Sequence, residues 1–467
     1  LISFRTSINK VLNKMSTKDK DFDTTLNMER TLPYLDYIET PLKIAGCWDL
    51  FRNTDNEFLY ILNYVYLGFV LFLLTYIPVS LIVHLNNEWE ANSIMSSVDK
   101  LADCLPIGVS LVIIAYYAIY RKHFYELVEY INENFKYHSA KGLTNMTMSE
   151  SYKMARRFGR VYTACCTFSV TSYAIVPIIV HFWTKAPLQH WIYMGVTRSP
   201  IFEMIFFMSF IAQLVVGFAM GQFGVFFASN SILICGQLDI LCCSLRNAKY
   251  TALLQNGVKH SALKAAYSDI QNDEMHNYSY NVSEMKESHY HYDEKTTRNF
   301  ADVKTQYDIY SEEFDPATMR ALQDCAHICQ VVNKYKDMFD RFVSPLLVLR
   351  VVQVTLYLCT LLYAATLKFE MTTVEYLAAV ALDIFVYCYY GNQIILQADR
   401  VSTAAYHSAW HTMGVRPRRV LLNILLANKR PVVVRAGRFL PMDLHTFVVI
   451  IKTSFSYYTL LVNVNEK

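Results

Sequence analysis

The chain runs to 467 residues, 53% of them hydrophobic and only 18% charged, with a formal net charge of +3 at pH 7. Soluble domains carry about 25% charged residues, so the composition excludes an ordinary soluble protein. So small a net charge gives no footing for nucleic-acid binding.

Leu1 to Arg52 mixes Lys, Asp and Glu with short apolar runs and reads as a cytoplasmic arm ahead of a signal-anchor helix, with no secretory signal before it. The first residue is Leu, so a natural start upstream or at Met15 is open. Seven apolar segments follow, at Leu59 to Val83, Cys104 to Tyr120, Val161 to Phe182, Ile201 to Ala228, Phe342 to Leu367, Val374 to Ile395 and Leu444 to Val464. About 20 apolar residues cross about 30 Å of hydrocarbon, so each is a candidate span. The fourth runs on through Ile232, Leu238 and Leu241, which predicts a helix projecting beyond the membrane and needing protein partners there. Half-apolar helical patterns at Met319 to Met338 and Val420 to Leu426 are the expected partners.

From about Asn256 to Ala317 the sequence turns polar, with no sustained period, and its centre reads as disordered. Removing roughly Asp273 to Arg298 is therefore expected to leave gating largely intact. Ser288-His289-Tyr290-His291-Tyr292 holds two histidines two apart, but without Cys or carboxylates at zinc spacing it reads as a polar loop.

The basic residues fix an orientation. Eight Lys or Arg lie between Arg121 and Arg160 and eight more between Arg400 and Arg438, whereas the gap from His84 to Leu101 holds only Lys100. The basic gaps are cytoplasmic by the positive-inside rule, which puts the N-terminus inside and, after seven spans, the C-terminus outside. The fold class expected is all-α: a polytopic membrane protein with seven transmembrane helices extended into a cytoplasmic layer.

Enzyme chemistry finds no purchase. There is no phosphate-binding glycine loop, nucleophile elbow or zinc-binding HExxH, so no catalytic residue, metal site or cofactor is expected. Most of the 11 Cys fall in spans or on the cytoplasmic side, a reducing compartment. Cys325 and Cys329 flank Ala-His-Ile at a spacing that suits one face of a helix as well as a ligand pair. Sequons at Asn145, Asn277 and Asn281 fall in cytoplasmic loops and should stay unmodified. Asp399-Arg400-Val401 follows the sixth span and reads as a chance triplet.

Two charges lie within spans. Arg350 is eight residues into the fifth from inside and Asp383 nine into the sixth from outside, so at 1.5 Å per residue both fall near mid-membrane and each must face protein or water. A direct pair, a water-filled vestibule and contact with polar groups such as Gln353 are the alternatives.

The last third of the chain resembles a known family. Cys388-Tyr389-Tyr390-Gly391-Asn392-Gln393 and Ala404-Ala405-Tyr406-His407-Ser408-Ala409-Trp410 resemble the insect odorant-receptor signature at the end of the sixth span. Met442-Asp443-Leu444 leading into Lys452 to Leu461 is similar to that family's final helix, and Leu42 to Trp48 resembles its N-terminal Gly-x-Trp segment. The resemblance implies an odorant-gated, non-selective cation channel: a tetramer of ligand-tuning subunits with a shared olfactory co-receptor, multi-pass in the plasma membrane of the olfactory neuron dendrite. Val331 to Lys336 lacks the co-receptor's Trp- and His-rich run, so this chain reads as a ligand-tuning subunit. The implied partners are a small volatile organic ligand, the co-receptor, membrane lipid and permeating cations.

On that resemblance the chain divides into a cytoplasmic arm over 1–58 and spans 1 to 4, with a ligand pocket in their outer half, over 59–243. A largely disordered cytoplasmic loop over 244–318 and anchor helices with spans 5 to 7, including the pore helix, over 319–467 complete it. A volatile ligand needs a concave, apolar, ring-rich pocket, and the candidates are Leu105, Ser172, Tyr173, Val176, Ile179, Ile205, Phe206, Phe210 and Tyr376. The resemblance places Leu460 and Val464, with Asn463 and Tyr457, where the family narrows its pore. Rings of Leu460 and Val464 would block ions by dewetting. A gustatory-type channel, a G-protein-coupled receptor and a transporter are the alternatives. The charge pattern opposes the second, and the lack of internal repeats opposes the third.

Overall fold

The computed structural model describes residues 33–52, 56–87, 94–184, 201–266, 278, 280–281, 286–287, 307–367, 371–429 and 432–465. In chain order the helices are α1 (Asp36–Ile44), α2 (Glu57–Asn87), α3 (Ile94–Ile119), α4 (Arg121–Asn134), α5 (Ser149–Thr184), α6 (Ile201–Gln255), α7 (His260–Ala266), α8 (Asp315–Leu367), α9 (Met371–Tyr406), α10 (Val415–Asn428) and α11 (Leu444–Asn465). Two-residue strands β1 (Thr144–Asn145) and β2 (Lys286–Glu287) pair antiparallel, as do β3 (Arg435–Ala436) and β4 (Leu440–Pro441).

The seven expected spans fall within α2, α3, α5, α6, α8, α9 and α11. By length and hydropathy alone, four helices among the described residues qualify as membrane spans, and a fifth if Cys104–Ile119 and Arg121–Asn134, bent by 72°, count as one.

α6 is the axis of the molecule. It has 55 residues, and every residue from Gly221 to Leu254 is buried. A helix covered all round belongs to the core; here α5, α8 and α9 pack along it, with α1, α2 and α3 against its remaining faces. Four polar side chains pin the segment between α4 and α5 onto one face of α6. Gln237 accepts from the Lys136 amide at 3.3 Å, Ser244 from Ala140 at 3.0 Å and Asn247 from Leu143 at 3.0 Å, while Thr251 donates to the Lys141 carbonyl at 2.6 Å. Steps of seven, three and four residues keep those side chains on one stripe of a 3.6-residue helix.

Aromatic rings lock the N-terminal segment to this core. Trp48 meets Phe124 edge-on at 5.1 Å, and Phe124 packs against Phe226 of α6 and Phe342 of α8 at 5.4 and 5.7 Å. Gly46 turns the chain out of α1 with φ +76°, a left-handed conformation open to glycine without strain.

Three expectations from sequence change. Met319 to Met338 and Phe342 to Leu367 are one continuous helix, α8, which carries Pro345 within it. α6 does not yield to loop at residue 244 but continues to Gln255, because the carbonyls and side chains of the preceding hairpin continue to satisfy its polar face. The polar segment 244–318 is not without fixed structure throughout: Tyr280 and Asn281 are buried, and β2 pairs with β1. Asn281 has no exposed surface, which leaves no room for a glycan at that sequon. Asn277 and the pair His289 and His291 lie outside the described residues.

Candidate functional site

The mid-membrane charges meet. Arg350 of α8 donates to the carboxylate of Asp383 of α9 and to the amide oxygen of Gln353 one turn along its own helix. Tyr162 of α5 donates to the other carboxylate oxygen of Asp383 at 3.2 Å. Next to this cluster, Gln222 of α6 donates to Thr163 of α5 at 2.9 Å. Four helices thus converge on one polar knot in an apolar setting, where a lone charge would be costly. Both the pair and the Gln353 contact anticipated for Arg350 are present. Gly217 and Gly221 allow the approach of α5: a Cβ on either would lie 2.2 Å from Val170 or 2.7 Å from the Cys166 sulfur.

Outward of the knot, the ligand candidates occupy three described helices. Leu105 on α3, Ser172 on α5, and Ile205, Phe206 and Phe210 on α6 are half-buried, while Ile179 is 46% exposed. Phe206 stacks on Phe202 at 6.4 Å between centroids. Tyr173, Val176 and Tyr376 have side chains outside the described set.

Below the knot, α9 meets the start of the final helix. Asp443 caps α11 by accepting from the Thr446 amide at 2.7 Å. Gly391 lies so close to this turn that a Cβ would fall 2.1 Å from the Met442 carbonyl oxygen. Phe385 meets Phe447 edge-on at 5.4 Å one helical step further out. The glycine of the sixth-span signature is therefore the seat of the last helix. α11 stays helical through Asn465, and Tyr457 is 53% exposed; the side chains of Leu460, Asn463 and Val464 lie outside the described set.

On the basic side, Cys325 and Cys329 lie on the α8 face buried against its neighbours. The Cys329 sulfur meets the side-chain amides of Asn428 and Asn333 at 3.6 and 3.5 Å. Burial pushes the Cys325 thiol up to about 12, with Asp324 adding to the effect. Sequence reasoning missed Asp239, a carboxylate only 1% exposed on α6. A lone acidic residue in an apolar run was the available signal.

A helical bundle with charges paired at mid-membrane and a glycine-seated final helix defines a multi-helix membrane protein fold. The family model described as 7tm Odorant receptor matches residues 101–455, and the chain belongs to that family. Odorant receptor 83a of Drosophila melanogaster is 24% identical over 343 residues, covering 71% of this chain and 72% of that one. Putative odorant receptor 85e of the same fly is 23% identical over 351 residues, covering 74% and 73%. The solved structure of the insect olfactory receptor OR5 from Machilis hrabei in complex with eugenol shares the fold. Its TM-score is 0.63 over 92% of this chain and 98% of that one, at 14% identity.

Proposed function

We propose that this chain is the odorant-binding subunit of an odorant-gated, non-selective cation channel that works as a heterotetramer with the olfactory co-receptor. The observation that carries this reading is the family match together with the close packing of the start of α11 against Gly391 of α9. The channel and co-receptor parts rest on the family resemblance. The charge pattern supports an N-terminus inside and a C-terminus outside, and the family resemblance implies a multi-pass plasma-membrane location, with the dendrite of an olfactory neuron as its place in the animal.

In this reading a small volatile ligand enters the outer half of the bundle among α3, α5, α6 and α9. Leu105, Ser172, Ile205, Phe206 and Phe210 line its pocket together with Tyr173, Val176 and Tyr376. The ring and aliphatic surface supplies affinity and Ser172 supplies orientation. Binding shifts α6 and α9 about the mid-membrane knot, and α9 carries the foot of α11 with it. Leu460 and Val464 form the apolar constriction of the pore, with Asn463 and Tyr457 beside it.

The test is expression in a non-insect cell with and without an insect olfactory co-receptor while volatiles are screened by cation current. Ligand-evoked current only in the co-expressing cells is the expected result. Full current from this chain alone would replace the heteromer by a homomeric channel. In intact cells a tag after Lys467 should be stained by antibody and an N-terminal tag should not; the reverse would overturn the orientation.

A further inference from the structure

A carboxylate buried at 1% exposure in the core of a membrane protein must be satisfied by fixed donors. Asp239 on α6 draws two of its donors from the polar insertion. One oxygen accepts from the backbone amides of Tyr280 and Asn281, at 2.8 and 3.1 Å, and the other accepts from the side-chain amide of Gln397 on α9. Asn281 then reaches two more elements. Its side-chain oxygen accepts from the Ser151 hydroxyl at 2.6 Å and the Ser151 amide at 3.2 Å, both on α5, while its nitrogen donates to the Gly236 carbonyl of α6 at 3.0 Å. Gly236 has no room for a side chain, since a Cβ there would lie 2.3 Å from the Ser151 hydroxyl.

We infer that Tyr280 and Asn281 are positioning residues, which seat the insertion in the junction of α5, α6 and α9 and thereby hold α9 in the register that supports the final helix. The path is short and physical. Tyr280 also reaches the side chain of Gln393 at 3.5 Å, and Gln393 is two residues from Gly391, which abuts the Met442 carbonyl at the foot of α11. Two of the groups that Asp239 binds are backbone amides, so the recognition depends on the segment being seated rather than on its composition. The polar character of the flanking stretch conceals this, because the seat consumes only a few residues.

This inference rests on the channel reading for its electrical readout, so the experiment includes a readout that does not. Chymotrypsin treatment of the purified full-length receptor, with cleavage after Tyr280 mapped by mass spectrometry, should find wild type protected and Asp239→Asn cut. With the co-receptor present, Asn281→Ala and Asp239→Asn should each lower ligand-evoked current per surface receptor by about fivefold or more, the low end of coupling between linked sites. Their combined effect should be less than additive. Shortening within residues 267–277 with Tyr278 to Asn281 retained should leave both readouts unchanged. Should the junction variants fail to reach the surface, Tyr280→Phe, which keeps every Asp239 contact and loses the hydroxyl that meets Gln393 and the Cys235 thiol, serves in their place and should shift the half-maximal ligand concentration. Cleavage after Tyr280 in wild type, or junction variants with wild-type protection and wild-type current, would overturn the inference. A wild-type receptor that is protected yet gives no current would sink the channel reading and leave the seat standing.

Discussion

Arg350 and Asp383 are 33 positions apart on antiparallel neighbours α8 and α9, and they close a hydrogen-bonded ion pair at mid-membrane with Tyr162 as a third partner. The relationship turns two costly residues into a registration mark. α8 and α9 cannot slide by a turn past each other without leaving a bare charge in hydrocarbon.

Breaking the pair from one side should therefore be severe. Asp383→Asn leaves the buried Arg350 without its counter-charge, at a cost of about 3–5 kcal/mol, and Arg350→Gln leaves the half-buried Asp383 with Tyr162 alone of these two partners. Thermal unfolding of detergent-solubilised receptor should show a large drop in midpoint for each single variant. The exchange Arg350→Asp with Asp383→Arg should recover part of it; no recovery together with wild-type-like single variants would mean the pair is incidental.

Gly391→Ala places a methyl 2.1 Å from the Met442 carbonyl oxygen. Backbone cannot yield as a side chain does, so the foot of α11 must move, with an overpacking cost of about 1–3 kcal/mol. Ligand-evoked current should fall more than surface expression does. Equal losses in both would reduce the contact to a purely structural one.

In the proposed gate, Leu460→Ser or Val464→Ser should raise ligand-free leak or change ion selectivity while leaving the ranking of active volatiles unchanged. A polar ring wets a constriction that an apolar one keeps dry. Unaltered leak, block and selectivity in both variants would remove these positions from the gate.

Asn247→Leu removes the acceptor of the Leu143 amide and the donor to the Thr144 carbonyl, both in the buried hairpin against α6. The Leu143 amide, left without this acceptor, costs about 1–3 kcal/mol, and the Thr144 carbonyl loses the stronger of its two side-chain donors, Asn247 and the Cys243 thiol. The variant should be retained inside the cell, and its midpoint in a thermal assay should fall below that of Thr251→Val, which takes a partner from only one group.

The Cys325 thiol, raised from 9.0 to about 12 by burial, is held neutral in the folded receptor. Its contribution to stability is complete below the unfolded value and is lost as pH rises from about 9 toward 12. Since the thiolate is the nucleophile, alkylation at pH 8 should be very slow in the folded receptor and become rapid on unfolding. Rapid labelling of folded protein would contradict the packing around α8.

The apolar segments were legible because the bilayer imposes one demand on every span, and Ile201 or Leu444 announces a helix start without knowledge of its neighbours. Arg350 and Asp383 were legible as a pair of depths, though depth alone left their partnership open. Asp239 was not. Its donors lie 41 and 42 positions on, in the backbone of a polar stretch, and 158 on at Gln397, so neither composition nor periodicity marks them. The helix Asp36–Ile44 was hidden because it is only nine residues long, carries Pro41 and buries just Ile38 and Leu42. The ligand candidates depend on side-chain directions at helix ends, where the hydropathy of a window says nothing.

The burial of α6 has a consequence for biosynthesis. A 55-residue helix is on the order of 80 Å long at 1.5 Å per residue, so much of it stands clear of the lipid. The surfaces that cover this inner half come from both directions along the chain: the hairpin before α5 is made first, whereas the Tyr280 segment, α8 and α9 are made after it. During translation the ribosome thus delivers a long helix of which only part of the cladding has been synthesised. Nascent chains halted before α9 should be bound by cytosolic chaperones and degraded, and release from quality control should track completion of the C-terminal third.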